Sequence, residues 1–594
     1  MATPSFRIEG SGLESATLVG FHGREQLSRC FRFEVFVTVT EPSALDASLG
    51  AKVVLHAEGE ASLQFAGIVA EVVFLHELPE RSLVRLVVVP RVWSLALSEH
   101  SRLYTERSIP DVVKDVLGRA GFAAGRDYEL RLGRSYPVEV HVCQYHESDL
   151  EFVQRWLEHE GMFYFFEHVD GTDKLIVSDD STASERSPTA AVRYHPVSGD
   201  DVSAGASFRR FSERRSSRPK EVALRDYDHG RPGLALVGTS RVHHAGFGSL
   251  VSFADDRFFD GERARTLATV RSEEQMALQV AYLVDGSALG LRTGHRFEVG
   301  EHVVARLDGE YLAVEVEHHA NVAARTPELR QLTGLGPEVY RATATAIRAT
   351  TPFRPARCTP KPRVHGYLTA VVDGPADSDY AQLDEHGRYR VKLHLDESEL
   401  ADGTATTTLR MQQPHVGNPE GMHFPLRKGT EVLVTCLDGD PDRPLIAGAV
   451  PNKVTPSPVT STNHTHNVFH TGGDNILDFE DKKPGQWIDF STPTKHTFFH
   501  LGQPHRDRTH HIVLHTHGNG LFSFGSNQDV RVGGKLEEIV QKDVKETYDA
   551  KQTSFVAGDQ KTTVAAATLE SYESTQDTIT CGQVTEVYDV AHET

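Results

Sequence analysis

Cysteine is scarce and scattered. Cys30, Cys143, Cys358, Cys436 and Cys581 are odd in number and no two share C-x-x-C spacing, so neither a disulfide framework nor a zinc knuckle is indicated. Buried thiols in a reducing compartment are expected instead. Long apolar runs are missing too, and no segment is expected to cross a bilayer. The opening MATPSFRIEGSG has no basic stretch followed by an apolar core. No conventional export signal is expected, so any exit from the cell must use another route. Basic charge is in deficit, with 62 Lys and Arg against 83 Asp and Glu and a net charge of −21. Phosphate binding needs basic surface, which excludes nucleic acid as the main partner. Catalytic signatures are absent as well: there is no H-E-x-x-H, G-x-S-x-G or Walker-type loop. The pairs His146–Glu147 and His159–Glu160 lack a second histidine four residues on, and surface or capping roles are expected for them. Neither an enzyme nor a cofactor is expected.

What the sequence does contain is mostly strand chemistry. AKVVLHAEG, SLVRLVVVPRV and HVVARLDGEYLAVEVEHH read as strands. Helices interrupt them. SIPDVVKDVLGRAG offers Ser108 as a cap, Pro110 in the first turn, and Gly118 or Gly121 as a stop. In ESDLEFVQRWLEHEG, Ser148 and Glu151 have capping-box spacing, and Leu150, Val153 and Leu157 recur at helical intervals. Phe152 and Trp156 are expected in the core, and MFYFFEH after Gly161 is expected to be a strand. A third helix is expected over 261–279.

The chain divides into a mixed base (1–355), a proline-rich linker (356–362), a compact all-β unit (363–452), a second linker or neck (453–470) and a tail (471–594). In the all-β unit GRYRVKLHLD alternates, with Tyr389, Val391, Leu393 and Leu395 on one face. Short strands with glycine turns there suggest a small barrel. Its LDGDPDRPLIAGAV stretch imitates a calcium loop at Asp438, Asp440 and Asp442. Arg443 then stands where the loop needs glycine, and Ala449 where it needs a bidentate glutamate. A turn between neighbouring strands is expected, with Arg443 paired to a nearby aspartate.

The tail hides an eight-residue lattice. Val532, Val540, Tyr548, Val556, Val564, Tyr572, Thr580 and Tyr588 form one column. Two residues after each comes a mostly small residue, from Gly534 to Val590, and from Glu538 on the residue two before each is polar. A β-repeat is favoured over a helix or disorder, because glycine and β-branched residues disfavour helix. One apolar position per octad cannot close a core within one chain, so an oligomer is expected.

Histidines crowd the tail's beginning: ten of the 32 lie between His464 and His517. His464 and His466 have H-x-H spacing, as do His515 and His517, and in a strand such pairs point one way. On a threefold axis His464 and His466 could form an axial metal cage. A polar, solvent-facing surface is the alternative.

Four long stretches together carry a resemblance. QYHESDLEFVQRWLEHEGMFYFFEH resembles the hub motif of the VgrG family, the trimeric spike proteins of bacterial type VI secretion systems. LDEHGRYRVKLHLD and DGDPDRPLIAGAVPN resemble that family's barrel entry and exit, and GGDNILDFEDKKPGQWIDF resembles its needle start. The family is also similar to hub and needle proteins of contractile phage tails. The resemblance implies a mainly β homotrimer with some α. Its parts would be a hub of two barrel-like subdomains with helices, an OB-fold barrel, and an intertwined triple-stranded β-helix needle. It further implies a hexameric Hcp-like tube under the base, a PAAR-type tip, effectors and baseplate proteins as partners. Assembly in the bacterial cytoplasm, release without a signal peptide to the extracellular space or a target cell, and transient contact with a target membrane also follow. Because the chain ends inside the repeat, no fused effector is expected. A related contractile injection particle or phage tail, even one that degrades cell wall, is the alternative; the short linker between barrel and needle argues against a catalytic insertion.

Overall fold

The computed structural model describes residues 4–40, 47–59, 61–187, 191–196, 206–504 and 509–587. Two units separate, Met1–His464 and Thr465–Thr594.

The first unit is built on a 12-stranded sheet. Gly309–Asn321 sits at its middle and pairs with Thr17–Gln26, Arg296–Gly300 and Tyr340–Arg348. Those pairings close a ring of strands: Gly309–Asn321, Arg296–Gly300, Val192–Tyr194, Ser207–Arg215, Val280–Gly286, Tyr340–Arg348 and back. A closed ring leaves no free edge, so this half of the expected hub is a barrel. The other half continues the same sheet through Thr17–Gln26, Arg32–Val39, Arg81–Val89, Ser62–Leu78, Lys52–Glu58 and Ser5–Gly10. One core runs through both halves, from Phe21, Phe33 and Phe65 to Phe208, Phe297 and Tyr311.

Local chemistry explains the helices. In Asp149–Glu160 the Ser148 hydroxyl accepts the Glu151 N–H at 3.2 Å, and Glu151 accepts the Ser148 N–H at 3.1 Å. Gly161 ends it in the left-handed region at φ 71°. A Cβ there would lie 2.4 Å from Val270 Cγ1, so glycine is required twice over. Phe152 and Trp156 are core residues and Phe163–Val169 is a strand, as expected. Ile109–Arg119 is capped by Ser108, with Gly118 inside it and Gly121 beyond its end. Gly261–Ala277 meets the third expectation, and a short helix, Pro327–Thr333, was not anticipated. Among the described residues no helix is long and apolar enough to cross a membrane.

The all-β region holds four strands in the order Arg390–Leu393, Leu368–Asp373, Glu431–Cys436, Pro444–Ala449. Residues 409–411 close it: Leu409 bridges Tyr389 on one side and Met411 bridges Ile446 on the other. The Ile446 N–H donates to Arg410 O at 2.9 Å, and the Gln412 N–H to Ile446 O at 2.8 Å. The result is the small five-segment closure of an OB-fold barrel. Tyr389, Val391 and Leu393 fill its inside as the alternation foretold.

The second unit begins with an antiparallel meander: His466–His470, Ile476–Glu480, Trp487–Thr492, Thr497–Gly502 and Ile512–His515. It starts inside the stretch expected as neck, and it precedes the octads. From residue 518 to 587 there is neither helix nor strand, and every residue is exposed.

Candidate functional site

Two places carry the chemistry: the turn that seats the barrel on the base, and the repeat. Antiparallel pairing of Glu431–Cys436 with Pro444–Ala449 confirms that the acidic stretch is a turn. Asp438 (φ 53°) and Gly439 (φ 70°) bend the backbone through the left-handed region. Asp440 and Asp442 are buried among cations, although Asp442 Oδ2 itself accepts no hydrogen bond. The Lys361 ammonium lies 2.7 Å from Asp440 and 3.6 Å from Asp442. Asp442 accepts the Cys143 N–H at 2.7 Å and faces Arg155 at 3.9 Å. Arg443 pairs with the nearby Asp440 at 3.4 Å, as expected, and its guanidinium also grips the distant Asp226 with two bonds of 2.7 and 2.8 Å.

Burial pushes the Asp442 carboxyl upward. Lys361, Arg155, Arg257 and the Cys143 N–H outweigh burial and hold it below its ordinary value. His141 goes the other way for a base. Burial leads, and it pulls the imidazole down from 6.5 to about 4. Arg257 ties the same corner together, donating to His141 O at 2.6 Å and Asp442 O at 2.9 Å.

His146 is exposed, as expected, but the glutamates of the two His-Glu pairs need correcting. Glu147 is buried under Arg155, with two bonds of 2.7 Å, and Glu160 is buried against Arg263. Neither is a surface group, because an arginine from the helix or its neighbour neutralises each. The barrel also borrows core from the base: Leu103 and Cys143 pack among Val372, Val391 and Val434. No local sequence signal marked Arg155, Asp226, Arg257 or Lys361 for this seat; their partners lie far away in the chain.

Cysteine placement is mixed. Cys143 and Cys436 are buried, Cys30 is half-buried, and Cys358 and Cys581 are exposed; all are free.

His464 and His466 do not share a strand face. His464 lies in a turn, and the strand opens only at His466, so the same-face rule does not reach the pair. His466 Nδ1 stands 3.0 Å from Asp478 and its Nε2 3.2 Å from Glu480. His515 and His517 gather instead around His496, with ring centroids 4.9 to 5.6 Å apart. His505 and Tyr588 lie outside the described residues.

In the tail the lattice is geometric as well as chemical. Backbone bends fall at 517–518, 525–526, 533–534, 541–542, 549–550, 557–558, 565–566, 573–574 and 581–582. The period is eight and coincides with the small-residue column. The lattice therefore starts earlier than the sequence alone showed, at Gly518, and adds Phe524 to the apolar column. Phe524, Val532, Val540, Tyr548, Val556, Val564 and Tyr572 are 48–56% exposed, whereas the other exposed large apolar residues of 518–587 are 60–92% exposed. Thr580 is exposed with them. The apolar residues of the column are thus about half exposed.

Residues 24–324 match the phage tail baseplate hub (GPD) family, and residues 379–450 match the type VI secretion system/phage-baseplate injector OB domain. The type VI secretion system spike protein VgrG1a of Pseudomonas aeruginosa is 30% identical over 452 residues, which are 74% of this chain and 68% of the relative. The chain belongs to the VgrG family of spike proteins. VgrG1b of the same organism is 30% identical over 450 residues, 74% of this chain and 59% of its own. This chain thus spans about three-fifths of the length of the first VgrG relatives it matches. The E. coli c3393 protein, a type VI secretion component similar to T4 tail proteins gp27 and gp5, shares the fold. Its TM-score is 0.54 at 22% identity, over 75% of this chain and 100% of that one.

Proposed function

We propose that three copies of this chain wind their repeats into one needle and act as the mechanical, non-catalytic spike of a type VI secretion system. The observation that carries this reading is the run of bends every eight residues, with an apolar column left half uncovered and an extended backbone without strand partners in its own chain. Backbone N–H and C=O groups need partners, and apolar columns need cover. Neighbouring copies in the same register supply both, and the needle then resists bending because many pairs must break together.

Under this reading the base rests on a hexameric Hcp-like tube within the baseplate, a PAAR-type cone caps the needle, and effectors travel with it. Assembly takes place in the bacterial cytoplasm. Sheath contraction then carries the spike out without a signal peptide and through a target membrane. The buried seat of the barrel suits this work, since thrust on the needle passes through charge-paired contacts inside the first unit. Three chains would also bring together three copies each of His464 and His466, for which we propose an axial metal. Metal content that is unchanged by His464→Ala and His466→Ala would end that part.

Sedimentation of the purified chain tests the reading. A stable trimer that falls to monomer when 518–587 are deleted is expected, and a monomeric full chain would overturn it. Measurable peptidoglycan turnover by the pure protein would overturn the non-catalytic part and favour a phage-type hub.

A further inference from the structure

The histidines that the sequence brings together are not the ones the fold brings together most tightly. Where Thr17–Gln26 pairs with Gly309–Asn321, His22 stands directly opposite His319, with Glu317 two residues along on the same face. Their inward neighbours Phe21, Val316, His318 and Ala320 are buried, while His22, Glu317 and His319 are half-buried on the outer face. The two imidazoles stack with centroids 4.4 Å apart and planes 12° apart. One ligand atom from each of the three side chains lies within 4.8 Å of the others. Among the described residues no other group of three such side chains converges so closely.

The neighbourhood leaves these atoms available. His22 Nε2 is buried without a hydrogen-bond partner. Glu317 receives only the Thr343 hydroxyl, at 3.4 Å. The surrounding charges are already matched. Arg341, opposite His319 on the next strand, is held by Asp285 with bonds of 3.0 and 2.7 Å. Arg24, opposite Glu317, is held by Glu315 at 2.6 Å. Glu34, on the far side of His22, lies 3.6 Å from Arg32 and 3.9 Å from Arg85.

We propose that His22, Glu317 and His319 form a binding site for a divalent transition metal, with zinc as the first candidate. Two imidazoles and one carboxylate are a donor set for such ions, and water completes the shell on the open side. Donors around tetrahedral zinc sit about 3.3 Å apart, given bonds of about 2.0–2.1 Å. Closing the site therefore takes a shortening of about 1.5 Å between donors and a tilt of the two stacked rings so that their lone pairs converge, while the strand ladder holds the backbone still. The ion would join a strand from the start of the hub to one from its end, and so close a very long loop of chain. Its role would be to staple the hub sheet, independently of the needle.

Equilibrium dialysis of the full chain against micromolar zinc, followed by elemental analysis, tests this. One zinc per chain is expected, with a melting temperature raised by a few degrees that chelator reverses. His22→Gln and His319→Gln should each remove that zinc while leaving the melting curve in chelator unchanged. Glu317→Gln should weaken binding about tenfold or more. Cobalt in place of zinc should give visible absorption that the histidine variants lose, whether or not their melting temperature moves. In the His464→Ala, His466→Ala background, zinc retained by His22→Gln or His319→Gln would overturn the proposal, as would no zinc bound by the unaltered chain. The His464→Ala, His466→Ala double variant should keep the hub zinc; its loss there would also overturn it.

Discussion

Met1–His464 and the repeat use the same raw material, β-formers alternating with polar residues, to opposite ends. In the first unit nearly every strand finds its partners in its own chain, and buried polar groups such as Asp442, Glu147 and Asp226 meet arginine, lysine or backbone N–H. In residues 518–587 the chain stays extended and exposed, bending on a fixed period. The difference lies in the number of apolar residues per turn. The hub strands place several in a row on the inward face; each octad places one in its column. In the proposed trimer, neighbouring copies cover that column.

Breaking the shared column is the strongest test of that contrast. Val540→Asp with Val556→Asp puts charge where cover is needed, and complete loss of the trimer by sedimentation is expected. The hub's melting curve should stay where it was. Breaking the seat should do the reverse. Asp442→Ala leaves Lys361, Arg155 and Arg257 facing a buried gap, and a loss of about 3–5 kcal/mol in urea unfolding is expected, with the trimer intact.

Acid should separate the two regions next. His141 takes a proton at about 4 when folded and near 6.5 when unfolded, so its contribution is whole above about 6.5 and lost as pH falls toward 4. The shift amounts to roughly 3 kcal/mol. Asp442, held below its ordinary value, adds a loss of the same sign at lower pH. Urea midpoints of the first unit at neutral and acid pH check this, and His141→Gln should flatten the upper part of the slope.

Glycine gives the finest comparison. Gly161→Ala forces a Cβ against Val270 at positive φ and should cost about 1–2 kcal/mol or more in thermal unfolding. Gly558→Ala meets nothing within 4 Å, and Ala550 and Ala566 fill the same column. Trimer stability should change by less than about 0.5 kcal/mol. A larger change would show that neighbouring chains press on the bends.

Much of this was legible before the fold. The capping box at Ser148 and Glu151, the stop at Gly161, the face of Tyr389, Val391 and Leu393, and the octad column all act over a few residues, where spacing and stereochemistry suffice. The same rules misplaced His464, because a same-face argument holds only inside a strand and the strand begins at His466. They also put Glu147 and Glu160 at the surface, since nothing adjacent announces Arg155 or Arg263 as partners in three dimensions.

By itself the sequence determined strand and helix chemistry, the barrel's acidic turn and the repeat, because each depends on neighbours along the chain. Tertiary structure alone decided the ring closed through Gly309–Asn321, the grip of Arg443 on Asp226, and the meeting of His22 with Glu317 and His319. Those depend on register between strands hundreds of residues apart, where a slip of one residue would turn every side chain to the other face.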